Sequence, residues 1–553
     1  MKGGRWQATP WWRLFGSIFV IVFVLIAIWS IATPLLSGPD EPTHVVKAAA
    51  VARGQFVGSC PDKPNNPSAY CPKSSAFTEV RLPEFFAYFR GPEIRFHGVG
   101  CFAHRTSVPA SCFENPTPKQ YQELTHTTTA QYQNLVRNAW IYDGRYPPLY
   151  YAIVGIPSLL GTGLWTVYLM RLFSAAASAL LLSAALFSII RYSSNRLLLF
   201  GVAVAATPMV IYLSGVVNAN GLEVASAVCF WTIMTILLRE TSEPPRSLIG
   251  IGLVSSLIFV STRSLSPLWM GLAVIAIALC SNWQRIRTLV LRRDIQIAIG
   301  LVIVVTAADL FWIVYEHSTA LNVGSANAQK LIPPPGTSEL TILRTSFHHN
   351  IYYLPGMIGV FGAFDTYALH TTYVIWYLLG GALFLLGLFA GDLRRRLVLV
   401  AVAFGIIFLP VLISSSQVRH IGYVWSGRDT LPFAVGLPIL CASILESERV
   451  QHFARRCAGV ALVLAYVAQV LALFWVLRRY SVGGGGPRFS FLIHSSWAPP
   501  VIGVLGAVII ECVVLGIAYL LIYAALGGQD GQHRSTRPSI EYVPSQIDQS
   551  PID

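Results

Sequence analysis

The sequence predicts an all-α polytopic membrane protein, a bundle of about twelve transmembrane helices. Composition is the first reason: the 553 residues are 54% hydrophobic and 12% charged, with a mean hydropathy of +0.58. The second is that long apolar runs recur from residue 14 to residue 526. The third is that the arginines fall in short clusters between those runs, so the net charge of +13 reports topology. A nucleic-acid partner would need one continuous basic face, which this pattern does not supply.

Taken in order, residues 14–33 are the first span, preceded by Lys2, Arg5 and Arg13. The run is longer than a removable signal peptide and lacks a clear small-residue cleavage site, so it reads as a signal anchor. Further spans are expected over 167–190, 197–214, 222–238, 247–262, 267–280, 295–315, 372–390, 397–414, 430–445, 457–477 and 499–526. Residues 148–163 are a thirteenth apolar run, but they open with Pro147-Pro148 and carry Pro157. If this run does not cross, Arg191/Arg196, Arg239/Arg246, Arg285 to Arg293, Arg394 to Arg396 and Arg449 to Arg456 all share the cytoplasmic side with the amino terminus. It is therefore read as a re-entrant or surface-lying helix. The expected organisation is a cytoplasmic start and first span (1–34), an extracytoplasmic loop module (35–147), a juxtamembrane helix (148–163), a multi-helix domain (164–526) and a disordered cytoplasmic tail (527–553).

The 35–147 segment is too long for a connector and holds Cys60, Cys71, Cys101 and Cys112. In an oxidising compartment these predict two disulfides; four cysteines allow three connectivities, of which Cys60/Cys71 with Cys101/Cys112 is the simplest. The rival is a metal site built on His97, Cys101 and His104, whose spacing matches no strong zinc signature.

Polar residues unusual for a membrane protein collect at the ends of the runs on the same side. Asp40, Glu41 and His44 follow the first span directly, and a helix-capping Asp with solvated neighbours is the plainer account of them. Arg145 to Tyr151, with Tyr146 foremost, and Arg171 at the end of the next span form a second group, although tyrosine and proline at an interface are often only a belt and a helix start. Asn218, Asn220 and Glu223 occupy a turn, and a carboxylate entering lipid needs a partner. Arg263 closes another turn. The 316–371 loop carries His317, Lys330, His348-His349 and Asp365, and paired loop histidines are usually solvated. Arg419, Arg428 and Asp429 mark the last mouth, where a guanidinium suits an anionic phosphate. Asp309 and Glu511 lie inside apolar runs, where charge usually marks a functional pair.

The runs Gly38-Pro39-Asp40-Glu41-Pro42-Thr43-His44, Ala48 to Gly54, Ser214 to Asn220, Gly359 to Thr366 and Gly427-Arg428-Asp429-Thr430-Leu431-Pro432 occur in an order that resembles the bacterial membrane-protein family named domain of unknown function 2142. That family looks like a branch of the GT-C glycosyltransferases, whose donors are polyprenyl-phosphate sugars. Asn220 and the Ser426 to Asp429 run depart from the family's usual acidic residue and Gln-Gly-Arg-Tyr. The resemblance implies an inverting transfer on the extracytoplasmic side of a bacterial plasma membrane, from a polyprenyl-phospho-sugar to an envelope glycan or glycolipid. It implies Asp40 as general base, with Glu41 orienting the acceptor or sharing Mg²⁺ or Mn²⁺ with Asp40. Arg428, Arg263, Arg171 or Arg419 would stabilise the leaving phosphate. Two other classes fit the composition: a flippase of lipid-linked sugar, and a non-catalytic envelope assembly factor that binds a partner through the disulfide-bearing loop.

Overall fold

A computed structural model describes residues 9–59, 78–87, 89, 101–113, 136–240, 243–319, 332–445 and 448–527. Helix α1 (Trp11–Ala32) ends where Thr33 and Pro34 turn the chain, and α2 (Glu41–Val51) starts after Asp40. Strands β1 (Thr78–Pro83) and β2 (Val136–Ile141) pair antiparallel, with Thr78 opposite Ile141 and Pro83 opposite Val136; α3 (Glu84–Ala87) follows β1. This ribbon delivers Tyr142 to Tyr146 to the end of the bundle. Next comes α4 (Leu149–Val154), six residues and about 9 Å long, followed by a 3₁₀ turn at Ile156–Leu159. That length is far below the ~30 Å of a bilayer core. Gly155 lets α4 lie on α2, because a Cβ there would sit 2.1 Å from the Ala48 carbonyl oxygen.

The remaining elements are α5 (Leu164–Tyr192), α6 (Leu197–Ala205), α7 (Pro208–Gly215), α8 (Ala219–Arg239), α9 (Arg246–Val260), α10 (Ser266–Cys280), α11 (Trp283–Val290), α12 (Arg293–Tyr315) and α13 (Glu339–Tyr353). After them come α14 (Gly356–Gly359), the short pair β3 (Val360–Phe361) and β4 (Thr366–Tyr367), α15 (His370–Ala390), α16 (Leu393–Ile421), α17 (Leu431–Ala434), α18 (Gly436–Ile444), α19 (Glu448–Val482) and α20 (Gly503–Gly527). Among the described residues, eight helices are long and apolar enough to cross a membrane. The pair α6 and α7, bent by 66°, makes a ninth if it is one broken span rather than a re-entrant loop. The other predicted runs are shorter helices, α9, α10 and the pair α17 and α18. Hydropathy counts apolar residues whether or not turns such as 261–265 interrupt the helix. Of the expected tail at 527–553 only Gly527 is described, as the end of the last helix; the rest, with Cys60, Cys71, His97 and Lys330, lies outside the described residues.

Helix α8 is the hub, buried along nearly its whole length against α5, α7, α9 and α10. Its first turn can approach α7 because Gly221 has no Cβ, which would otherwise fall 2.2 Å from the Leu213 carbonyl oxygen. At the far end, Arg239 donates to the carbonyls of Cys280 and Ser443, Arg394 to that of Ser281, and Arg285 to that of Leu237. These guanidiniums satisfy carbonyls that helix ends leave without partners. Asp40, the amino end of α8 and Arg428 share the opposite end.

Candidate active site

Asp40 is in the left-handed region, with φ 56°. Its carbonyl accepts from the N–H groups of Thr43 and His44 and so starts α2, but its side chain makes no cap bond. Pro42 in the first turn pre-sets the helix. The carboxylate instead turns outward, accepting from the Tyr142 hydroxyl at 2.6 Å and pairing with Arg428. Burial pushes this carboxyl up, yet Arg428, His44 and the Tyr142 hydroxyl outweigh it and hold Asp40 well below the usual carboxylate range.

Arg428 sits in a 3₁₀ turn, Gly427–Asp429, closed by Asp429 bonding back to Ser426. One nitrogen reaches Asp40, and the ring of Phe364 lies 4.5 Å from the guanidinium carbon. Its Nε and Nη1 are buried with no hydrogen-bond partner. Arg428's side chain is 10% exposed, whereas that of Asp40 is 33% exposed. Asp429 gives its other oxygen to Arg263 at 2.8 Å, and Arg263 also lies 3.6 Å from Glu223 and faces the Tyr146 ring. Ser266 and Asn220 bond Glu223 at 2.7 and 3.4 Å. Asp40, Arg428, Asp429, Arg263 and Glu223 thus form one continuous run of charge across four segments of the chain.

Beneath it, Glu41 is fully buried. Its Oε1 accepts from Arg171 Nε at 2.6 Å and Val217 N at 3.0 Å, and its Oε2 from Arg171 Nη2 at 2.6 Å and Gly38 N at 3.0 Å. Arg171 spends its other three N–H bonds on the carbonyls of Ser30, Thr33 and Pro34, capping the end of α1. All of its donors and all of the Glu41 lone pairs are used. Glu41 and Arg171, expected at the substrate, are the bolt that fixes the Asp40 turn to α1 and α5. A cation shared by Asp40 and Glu41 does not fit either, because each carboxylate is already neutralised by its own arginine and Glu41 has no oxygen to offer. Asn218 completes the bolt: it caps α8 and donates to the Pro39 carbonyl at 2.6 Å.

His44 packs on the other side of α2, its Nδ1 2.8 Å from the Tyr151 hydroxyl and 3.0 Å from Asp143, which also accepts from Thr43 at 2.6 Å. Lys47 is fully buried one turn on and donates to the carbonyls of Phe56 and Gly144. Burial pushes its ammonium down to about 8, against Asp143 and Glu316, which raise it.

Other expected site residues are elsewhere. Asp365 accepts from the His104 N–H at 2.8 Å and pairs with Arg479 at 3.4 Å, while Arg479 also holds the carbonyls of Phe102 and Val108. This cluster docks the 101–113 segment, which a Cys101–Cys112 disulfide closes. With Cys101 bonded, the rival metal set built on it is lost. Arg419 pairs with Glu339 at 2.6 Å on the surface, because its helix turns it away from the cluster. His348 is exposed on α13, and His349 stacks on Tyr423 at 5.0 Å. Asp309 accepts from Ser261, and Glu511 is buried beside α1. Sequence reasoning missed Tyr142, Asp143, Lys47 and Phe364. Lys47 had a signal, a lone charge in the run Val45 to Val51.

The fold and site define a polytopic helical membrane protein with an acid–arginine cluster at one end of its bundle. Residues 23–437 match the family described as "Predicted membrane protein (DUF2142)", and the chain belongs to it. No curated protein matches it. Among solved structures it is similar to ArnT from Cupriavidus metallidurans bound to undecaprenyl phosphate, with 15% identity, a TM-score of 0.41, and coverage of 95% of this chain and 78% of that one.

Proposed function

We propose that the protein is a membrane-embedded inverting glycosyltransferase that moves a monosaccharide from a polyprenyl-phosphate donor to an envelope glycan or glycolipid. The observation that carries this is the pairing of a half-open carboxylate with an arginine that still has buried, unpartnered nitrogens. Asp40 takes a proton from an acceptor hydroxyl, whose oxygen attacks the anomeric carbon as the bond from that carbon to the phosphate oxygen breaks. The electron pair of that bond stays on the phosphate oxygen, to which the N–H groups of Arg428 Nε and Nη1 donate hydrogen bonds. The phosphate is acidic enough to leave without a strong general acid. Arg263, paired with Asp429 and Glu223, acts by anchoring the turn that carries Arg428. Glu41, Arg171 and Asn218 act by holding the Asp40 turn.

The gathering of Arg239, Arg285 and Arg394 at the opposite end supports an extracytoplasmic cluster in a bacterial plasma membrane. One feature favours a flippase of lipid-linked sugar instead, the bent span at Ala205 to Pro208. Its break is stapled, since Gln469 donates to the Ala206 carbonyl at 2.8 Å and Thr207 to that of Met357 at 2.7 Å. Purified protein given a panel of polyprenyl-phospho-sugars and envelope acceptors tests the reading. Release of polyprenyl phosphate from one donor is expected. Transbilayer movement of the donor with no release would support the flippase instead.

A further inference from the structure

Resting on the proposed function, we infer that Arg428 is shared in time: it masks Asp40 until the donor's phosphate takes it, so that donor capture arms the base. The ion pair with Asp40 involves a single guanidinium nitrogen, and the two nitrogens left over are buried and unpartnered. An arginine with five N–H donors on three nitrogens and a single hydrogen-bond partner is set up to bind a second anion. Nε and Nη1 have no exposed surface and Phe364 covers one face of the guanidinium, so an anion reaches these nitrogens only when the guanidinium shifts from its seat, which loosens Nη2 from Asp40. Arg263 cannot take over either role, because Asp429 and Glu223 hold it.

The consequence is an order of events. With Arg428 on Asp40, the carboxylate is too well stabilised to draw a proton from a hydroxyl. When the phosphate draws the guanidinium toward itself, Asp40 keeps only the Tyr142 hydroxyl at 2.6 Å and becomes a stronger base. In the transfer, the proton moves from acceptor to Asp40 and the electron pair of the breaking bond moves to the phosphate. One negative charge disappears on one side of Arg428 as one appears on the other. The guanidinium therefore balances the same charge before and after.

The test is equilibrium binding of labelled undecaprenyl phosphate to the full chain in phosphatidylcholine nanodiscs, with dioleoyl phosphatidic acid as competitor. Asp40→Asn and Asp40→Gly are both compatible with a φ of 56°, so two folded variants are available. Both are expected to bind about tenfold more tightly than wild type, the scale of one charge-assisted bond that no longer competes. Arg428→Gln is expected to lose binding, and adding Asp40→Asn to it should restore nothing. Unchanged or weaker binding by both Asp40 variants, with loss in Arg428→Gln, overturns the sharing and leaves the phosphate site standing. A gain that persists without Arg428 is mere charge repulsion and also overturns it. If phosphatidic acid competes as well as undecaprenyl phosphate does with itself, the sharing and the proposed donor class both fall.

Discussion

Glu41→Gln should damage stability, not chemistry. In the wild type Glu41 and Arg171 are both fully buried and exchange two bonds of 2.6 Å. Removing one charge of a buried pair leaves the other uncompensated, at a cost of ~3–5 kcal/mol. Glutamine keeps one acceptor oxygen, which places this variant at the lower end, about 3 kcal/mol. Arg171→Met goes further. It also strips donors from the carbonyls of Ser30, Thr33 and Pro34, each a buried group worth ~1–3 kcal/mol when left unsatisfied. Its total loss approaches the ~5–15 kcal/mol that holds a typical protein together, so little folded protein should accumulate. The double variant should be more stable than the summed single losses by ~1–3 kcal/mol, because neither charge is then orphaned. Equilibrium unfolding by dodecyl sulfate titration from mild detergent measures all of these. A Glu41→Gln protein that unfolds like wild type while losing turnover would refute the reasoning and return Glu41 to the substrate.

Three other outcomes follow from the same contacts. Arg479→Met should raise hydrogen exchange across 101–113 by loosening that segment by ~2–4 kcal/mol, with the spans unchanged. Non-reducing peptide mapping should recover Cys101 joined to Cys112, and replacing both with serine should cost about 3 kcal/mol for a loop of this separation, read as lower thermal resistance of the module. For Lys47 the folded value of about 8 lies below the unfolded 10.5. The unfolded chain therefore binds the extra proton between those values, and this site's contribution to stability rises with pH across that window. Lys47→Met should flatten the rise, which unfolding titrations at pH 7.5 and 9.5 detect.

The helical class and the acidic motif were legible because they rest on local signals, apolar runs and a short polar cluster between them. Arg428 and Arg263 were legible as charges at helix mouths, but their partners were not, since Asp40 meets Arg428 across 388 residues. The two carboxylates of Asp40-Glu41 look equivalent in sequence. Only the backbone divides them, because a left-handed Asp40 and a helical Glu41 project their side chains to opposite sides of the turn. Asp365 and Arg419 had the right residue types in the right loops, and tertiary packing gave them other partners. Tyr142 carried no signal of its own, since its place beside Asp40 depends on the register of the β1 and β2 ribbon.

In the proposed reaction Asp40 and Arg428 face the reacting atoms, whereas Glu41 and Arg171 hold them in place. The direct measurement is kcat for polyprenyl-phosphate release by Asp40→Asn, alongside its unfolding midpoint. Asp40→Asn is expected to lower kcat by about 10²–10⁴, the usual worth of a general base, and to lower the midpoint too, because Arg428 loses its carboxylate, but by less than Glu41→Gln, whose pair is fully buried. A kcat equal to wild type in the folded variant would contradict this.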